Sequence, residues 1–235
     1  MSHRSFLLIG WIVTSVIGVE AQSARNAVEQ LAPGLFRIGE IRVDMARREI
    51  SVSGRANDAQ VLEFVANTKG GFKAYESALT LDTDGISFNA ALLLIGLDPA
   101  HARVPIRHFD PVPPNGDPIE IWVAWNPPGG LKRVRIEELL FDRRTNKTLP
   151  EGPWVYTGST FAAPGQYLAD IEGVLIGFVH SPAPVIENPR AGAVDAYGEI
   201  IRNPNLDMPG GMAVIVTIKA LSASELPARI DPSAD

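Results

Sequence analysis

The stretch Lys73–Pro99, KAYESALTLDTDGISFNAALLLIGLDP, decides the fold, because it passes from a polar edge into an almost wholly apolar run. Its first seven residues lead into the end of an apolar strand. The segment Asp82–Asp84 then supplies side-chain oxygens that can cap a helix by accepting hydrogen bonds from its first amides. Residues 86–97 are apolar on nearly every side. Gly96 and Pro99, near their end, are residues that terminate helices. The pattern therefore predicts one buried helix at about 86–97.

Strand patterns dominate the rest of the chain. Apolar residues alternate with polar ones from Leu35 onward, and a hairpin is predicted around the turn Asn126–Gly130. Two strands joined around Asp44–Arg47 are predicted within Phe36–Val52, and further strands are predicted at Val61–Val65, Pro118–Trp125, Trp154–Thr157, Val174–Val179 and Met212–Leu221. Because the strands outnumber the helices and do not alternate with them, the predicted class is α+β. We expect mostly antiparallel sheets packed on the central helix, with long Pro/Gly-rich loops at His101–Pro118 and Ser181–Pro209.

The N-terminus has the pattern of an export signal. Arg4 supplies positive charge, Phe6–Val19 is mostly apolar, and Val19–Ala21 resembles a cleavage site. We expect residues 1–21 to be removed after Ala21, which predicts a periplasmic or secreted bacterial protein. The alternative is a retained anchor in the inner membrane, although the apolar run is shorter than the roughly 20 residues that a spanning helix needs.

The remaining chain is predicted to hold one domain. Residues 22–34 form a polar lead-in, 35–221 a single α+β domain and 222–235 a disordered tail. The sequence contains no cysteine, so packing alone must hold this domain together. The formal net charge of −6 argues against nucleic acid and against adhesion to anionic lipid, since both require a basic surface.

Several short motifs in a fixed order resemble the YdjY-like domain family. Besides Lys73–Pro99, they are the hairpin-like segment Ile41–Val52, Pro118–Trp125, Trp154–Ser159, Tyr167–Gly173 and the final strand after Pro209–Gly211. The resemblance covers roughly residues 36–220 and implies an exported bacterial protein with no established activity. The family pattern often has His at the position of Tyr75. Some relatives carry cysteine clusters that are interpreted as iron–sulfur ligands. This chain contains no cysteine, so we expect no iron–sulfur cluster in it, and we expect no other cofactor.

One candidate site combines Asp170, Glu172 and His180, which flank the predicted strand Val174–Val179. A histidine with two carboxylates could hold a divalent metal or act as a base with its orienting group. The structural alternative is that both carboxylates bind backbone amides in the turn before Gly173 and that His180 ends a strand at the surface.

A second candidate is the pair Glu76 and Ser77. Lys73 lies four residues before Ser77 and could activate it as a nucleophile in a closed site. The structural alternative is that Glu76 caps neighbouring amides and Ser77 begins a strand. In the proline-rich loop, His108 and Asp110 form a similar pair, for which a loop-stabilising hydrogen bond is the favoured interpretation.

Trp122 and Trp125 should lie on opposite faces of one strand. At least one of them should therefore point away from the main core. It could serve as a platform for a sugar or a partner surface, or it could pack beneath a covering loop.

These features support two classes of function. The favoured hypothesis is a non-enzymatic envelope module that binds an envelope protein or a small molecule through its two long loops. The alternative is a metal-assisted or acid–base hydrolase that uses Asp170, Glu172 and His180. A further alternative, an accessory subunit of a membrane complex, applies if Phe6–Val19 stays uncut.

Overall fold

The structure is a computed structural model that describes residues 27–190 and 198–226 of the 235-residue chain. The predicted signal segment lies outside the described residues, as do parts of the second predicted loop (191–197) and of the predicted tail (227–235). The helices are α1 (Gly85–Leu94) and α2 (Leu168–Glu172), with 3-10 turns at Phe72–Glu76, Pro99–His101 and Ile136–Leu139. The strands are β1 (Val28–Ala32), β2 (Leu35–Ile38), β3 (Ile41–Asp44), β4 (Glu49–Ala56), β5 (Phe64–Thr68), β6 (Ser77–Leu81), β7 (Asp117–Trp125), β8 (Lys132–Arg135), β9 (Leu140–Asp142), β10 (Lys147–Thr148), β11 (Trp154–Tyr156), β12 (Phe161–Ala163), β13 (Gln166–Tyr167), β14 (Val174–Gly177), β15 (Ile186–Glu187), β16 (Ile200–Arg202) and β17 (Ala213–Ala220).

Eight strands form a closed barrel in the order β4-β17-β7-β11-β15-β14-β5-β6. The pairing of β6 with β4 completes the ring. The pairs β5–β6 and β14–β15 are parallel, and the other pairs in the ring are antiparallel. The antiparallel ribbon β1–β2–β3 extends from β4, and β8 pairs antiparallel with the second half of β7, at residues 122–125. The small sheet β10–β9–β16 and the hairpin β12–β13 complete the described structure.

The barrel interior is filled by alternate residues of its own strands. On β7 the buried positions are Ile119, Ile121, Val123 and Trp125, while the residues between them are half-exposed. The register places these side chains beside the inward-facing residues of the neighbouring strands. Each large apolar side chain buried in this way contributes roughly 1.5–3 kcal/mol relative to its exposed state.

The predicted α+β arrangement with one buried central helix at about 86–97 is wrong. The chain is mostly β, because the sheet closes on itself and its own side chains occupy the centre. Helix α1 instead packs against β3, α2 and β14. Tyr156, whose ring faces inward by register, donates to Asn89 of α1 at 2.6 Å, which places the helix against one mouth of the barrel.

The local signals at the ends of α1 act as expected, although the helix is shorter. Asp84 caps it by accepting from the Ser87 amide at 2.7 Å, and the helix ends at Leu94, just before Gly96, which adopts a φ of 86°. Ile86 is 53% exposed, so only one face of this apolar helix is covered.

The strand predictions agree in part with the structure. The β7–β8 hairpin and the closing strand β17 are confirmed. The strand expected at Val61–Val65 begins later, at Phe64, and the second long loop contains β15 and β16. Within the part of the chain that the structure describes, no helix combines the length and apolarity needed to cross a bilayer.

Candidate functional site

The polar residues before β6 pair with each other. The Lys73 ammonium lies 2.6 Å from Glu76 Oε1, and both side chains are largely buried. Burial acts to lower the pKa of Lys73, but the hydrogen bond and the charge of Glu76 raise it overall. Ser77 is fully buried at the start of β6, and its Oγ has no hydrogen-bond partner among the described residues. Lys73 is therefore held by Glu76, and Ser77 is the first residue of β6.

Asp170 and Glu172 both lie on α2, but they face different surroundings. Asp170 Oδ1 accepts from the Gly85 amide at 2.5 Å and so holds the first turn of α1. Burial raises the pKa of Asp170, while the hydrogen bonds from Gly85 and Ile86 oppose this rise. Glu172 is half-exposed, and its charge is one of the smaller causes that raise the pKa of Lys73.

His180 is buried between two loops. Its Nδ1 lies 3.0 Å from the Asp110 carbonyl oxygen, and its Nε2 lies 3.0 Å from the Asn188 carbonyl oxygen. A neutral imidazole carries one N–H and can donate to only one of these acceptors. His180 thus joins the His101–Pro118 loop to the segment after β15, and the expected surface position at a strand end is wrong.

Asp110 stabilises its own loop. Its carboxylate accepts from the Ile106 amide at 2.9 Å and the Val112 amide at 3.0 Å, and these bonds lower its pKa despite the opposing effect of burial. The side chain of His108 lies instead 3.5 Å from Glu63. These contacts agree with the interpretation of Asp110 as a loop-stabilising residue.

The structure therefore gives Asp170, Glu172 and His180 separate partners. Asp170 binds the first turn of α1, whereas His180 lies between two carbonyl groups. In residues 27–190 and 198–226, no group of three or more His, Cys, Asp or Glu side chains is arranged to hold a metal ion.

A different His–carboxylate pair does form on the surface. His101 Nδ1 lies 2.7 Å from Asp117 Oδ1, and this hydrogen bond and the charge of Asp117 raise the pKa of His101. Sequence reasoning missed the pair because the partners lie 16 residues apart and meet only where the proline-rich loop returns to β7.

The two tryptophans of β7 do lie on opposite faces, as predicted. Trp125 is buried and donates its indole N–H to the Asp207 carbonyl oxygen at 2.8 Å. Trp122 is half-exposed on the outer face, where the guanidinium carbon of Arg133 lies 4.1 Å from its ring centroid. The exposed aromatic face is thus partly occupied by an arginine of β8.

A groove of about 600 Å³ is lined by Ala59, Gln60 and the loop 201–209. We call it the loop groove. Its volume falls within the range of roughly 300–1,000 Å³ that is typical of ligand sites. Gln60, Asn205 and Asp207 have exposed side chains that form no hydrogen bond or ion pair with described residues.

The backbone of the loop groove is fixed by the barrel and the small sheet. The Asn203 side chain donates to the Glu138 carbonyl oxygen at 2.8 Å, and its Oδ1 accepts from the Asn205 amide at 3.0 Å. Together with the Trp125–Asp207 bond, these contacts hold the loop without using the exposed amide and carboxylate groups. The groove is therefore preformed, which lowers the entropic cost of binding.

Sequence reasoning treated this region only as part of a long loop. Its signal was the run NPNLDMPGG at 203–211, which is dense in turn-forming residues. That signal predicts a loop, but it does not show that the loop faces Gln60, far earlier in the chain.

Comparison with known proteins gives a single family assignment. The family model described as YdjY domain matches residues 41–219, which is well over half of the chain. No curated protein and no solved structure matches the chain.

Proposed function

We propose, from the premise that the chain belongs to the YdjY domain family, that this protein is a non-enzymatic binding module of the bacterial envelope. The loop groove carries the proposal, because it combines a fixed backbone with exposed polar side chains that have no other role in the described structure. By contrast, Asp170 and His180 are used in bonds that hold separate elements together.

The chemistry of the loop groove favours a ligand that bears both hydroxyl and amide groups. Gln60 and Asn205 can each donate and accept, and Asp207 can accept from hydroxyl or amide hydrogens. Pro204 and Leu206, which precede and follow Asn205 in the sequence, add apolar surface to the groove. Amino sugars and extended peptides share this chemistry, and both occur in the cell wall.

The binding test uses soluble muropeptides released from digested bacterial cell walls, with separate arms for an N-acetylglucosamine tetramer and a stem tetrapeptide. We expect the amide resonances of Gln60 and residues 201–209 to shift on titration with one of these ligands. The variant Asn205→Lys should weaken binding at least fivefold, because it places a long charged chain in the groove.

The matched control is Gln166→Lys, an exposed polar residue on β13 that receives the same charge. If both variants bind like the wild type, or if the shifts fall elsewhere, the loop groove is not the binding site. If none of the probes produces a shift at all, the proposed ligand chemistry is wrong.

The envelope location rests on Arg4 and the apolar segment Phe6–Val19, which lie outside the described residues. N-terminal sequencing of the protein purified from a bacterial envelope fraction tests it. A start at Gln22 supports export with cleavage, whereas an intact Phe6–Val19 in a membrane fraction supports an anchored subunit of a larger complex.

A further inference from the structure

Five large apolar side chains are exposed on α2 or on elements close to it, and none of them lines the loop groove. They are Phe72 (59% exposed), Tyr75 (65%), Ile86 (53%), Phe161 (63%) and Ile171 (46%). We call this set the aromatic patch.

Two of its aromatic residues share one face of a 3-10 turn. Phe72 and Tyr75 are three residues apart, and side chains at that spacing eclipse each other in a 3-10 helix. Beside this turn lies the end of α2, since the Thr68 amide donates to the Gly173 carbonyl oxygen at 2.9 Å. The two aromatic rings therefore adjoin the helix that carries Ile171.

The other side of α2 adjoins the remaining members. The contact between Asp170 and the Gly85 amide places the first turn of α1, and with it Ile86, next to α2. At the start of α2, the ring of Tyr167 lies 5.2 Å from the ring of Phe161. The helix α1, the 3-10 turn and the hairpin β12–β13, which carry the other four side chains, are thus neighbours of α2.

The aromatic patch is large for a surface with no function. Taking roughly 200 Å² for each aromatic side chain, the exposed fractions of Phe72, Tyr75 and Phe161 amount to about 370 Å². The largest apolar patches on soluble monomers measure roughly 300–600 Å² and are often functional. This area is sufficient to receive one face of a short helix.

The charges around the aromatic patch select the partner. The nearby lysines are already paired: Lys73 with Glu76 at 2.6 Å and Lys69 with Asp82 at 3.4 Å. The neighbouring carboxylates that take no part in the ion pairs of the described residues are Asp84 and Glu172, and both are half-exposed. The rim of the patch is therefore negative.

A negative rim disfavours two of the possible occupants. A second copy would bring the same carboxylates together across the interface, and an anionic lipid surface would be repelled. It favours a partner with apolar side chains bordered by lysine or arginine. An amphipathic helix presents this combination on one face, because polar residues border its apolar stripe.

We propose that the aromatic patch binds a basic amphipathic helix of a partner protein. The apolar stripe of that helix covers Phe72, Tyr75 and Phe161, and its cations meet Asp84 and Glu172. The aromatic patch shares no residue with the loop groove, so each of the two proposals has its own test.

The test uses a synthetic amphipathic helix made of leucine and lysine, with a scrambled peptide of the same composition and phosphatidylcholine vesicles as further probes. Binding to the full chain is measured by fluorescence anisotropy at 0.15 M salt. We expect the amphipathic peptide to bind at least tenfold tighter than the scrambled one. The double variant Phe72→Ser/Tyr75→Ser should lose at least tenfold in affinity, and so should Phe161→Ser, which lies on a separate element.

The matched control is Leu131→Ser/Val112→Ser, which removes two exposed apolar side chains elsewhere and should bind like the wild type. Melting curves confirm that each variant is folded. Equal affinity for the scrambled peptide, unchanged affinity in both patch variants, or binding to vesicles but not to the peptide would each overturn the proposal. The groove variant Asn205→Lys should leave peptide binding unchanged, and a loss there would also contradict it.

Discussion

Gly54 allows β4 to approach β6 at the pairing that closes the barrel. A Cβ atom at this position would collide with the Thr80 carbonyl oxygen and lie 3.1 Å from Leu81 Cα. Both obstacles are backbone atoms of the partner strand, so they cannot move without opening the pair. We predict that Gly54→Ala lowers the free energy of unfolding by about 2 kcal/mol, as measured by urea denaturation. Gly129→Ala, where no heavy atom lies within 4 Å, should change it by less than about 0.5 kcal/mol. Equal effects would show that the closure tolerates a side chain.

Glu187 is a fully buried carboxyl group on β15. Its Oε1 accepts from the Ser181 amide at 3.0 Å, and burial raises its pKa well above the ordinary value. The folded state therefore binds a proton that the unfolded state releases above about pH 4.5. Over that range the contribution of Glu187 to stability falls as the pH rises, until the pH reaches the folded-state pKa.

The variant Glu187→Gln keeps the acceptor for Ser181 and removes the titration. We predict that its stability relative to the wild type rises from pH 4.5 to pH 8, by at most about 1.4 kcal/mol per pH unit. Urea denaturation of both proteins across this pH range gives the difference, in which the contributions of all other groups cancel. A constant difference would mean that Glu187 is ionised in the folded protein at every pH tested.

At the scale of elements, α1 depends on a carboxylate from another helix. Asp170 of α2 accepts from the first amide of α1, in addition to the local cap by Asp84. We predict that Asp170→Ala lowers the free energy of unfolding by about 1 kcal/mol and speeds amide exchange in the first turn of α1. Asp170→Asn should cost less, because it retains an acceptor and burial already disfavours the charge. The control Glu172→Ala lies on the same helix, and an equal loss there would contradict the capping role.

The two caps of α1 show what the sequence could and could not predict. Asp84 lies three residues before Ser87, whose amide donates to it, so its role is visible as a local pattern. Asp170 lies 85 residues from Gly85, and no local pattern joins them. The same limit applies to the burial of α1: its apolar sequence predicted a central position, but the helix covers a mouth of the barrel and leaves Ile86 exposed.

At the scale of the whole molecule, alternation predicted most strands but not their closure. Alternation of apolar and polar residues along a strand shows only that one face of the strand is buried. A sheet packed on a helix and a sheet closed on itself give the same pattern. The deciding pair β4–β6 depends on the close approach at Gly54, and the loop groove depends on the meeting of residues 59–60 with 201–209. The family resemblance was predictable because it rests on the order of motifs along the chain.

At the same scale, Glu137 is fully buried and connects three segments of the chain. Its carboxylate lies 3.3 Å from the Arg135 guanidinium, 3.6 Å from Arg190 after β15, and accepts from the Gly152 amide at 3.2 Å. Removing its charge leaves two arginines close together without their shared partner.

We therefore predict that Glu137→Gln lowers the free energy of unfolding by about 3 kcal/mol, because it leaves the Arg190 guanidinium without its ion-pair partner, whereas Arg135 keeps Glu120 at 3.1 Å. Urea denaturation followed by far-UV circular dichroism and by tryptophan fluorescence should show one coincident transition at lower urea. The matched control is Glu151→Gln, whose side chain is 67% exposed and 4.0 Å from Arg135, and which should cost less than about 0.5 kcal/mol. If Glu137→Gln is as stable as this control, the buried cluster does not hold the segments together. If its two probes separate, the cluster stabilises only the region around β8 and not the barrel as a whole.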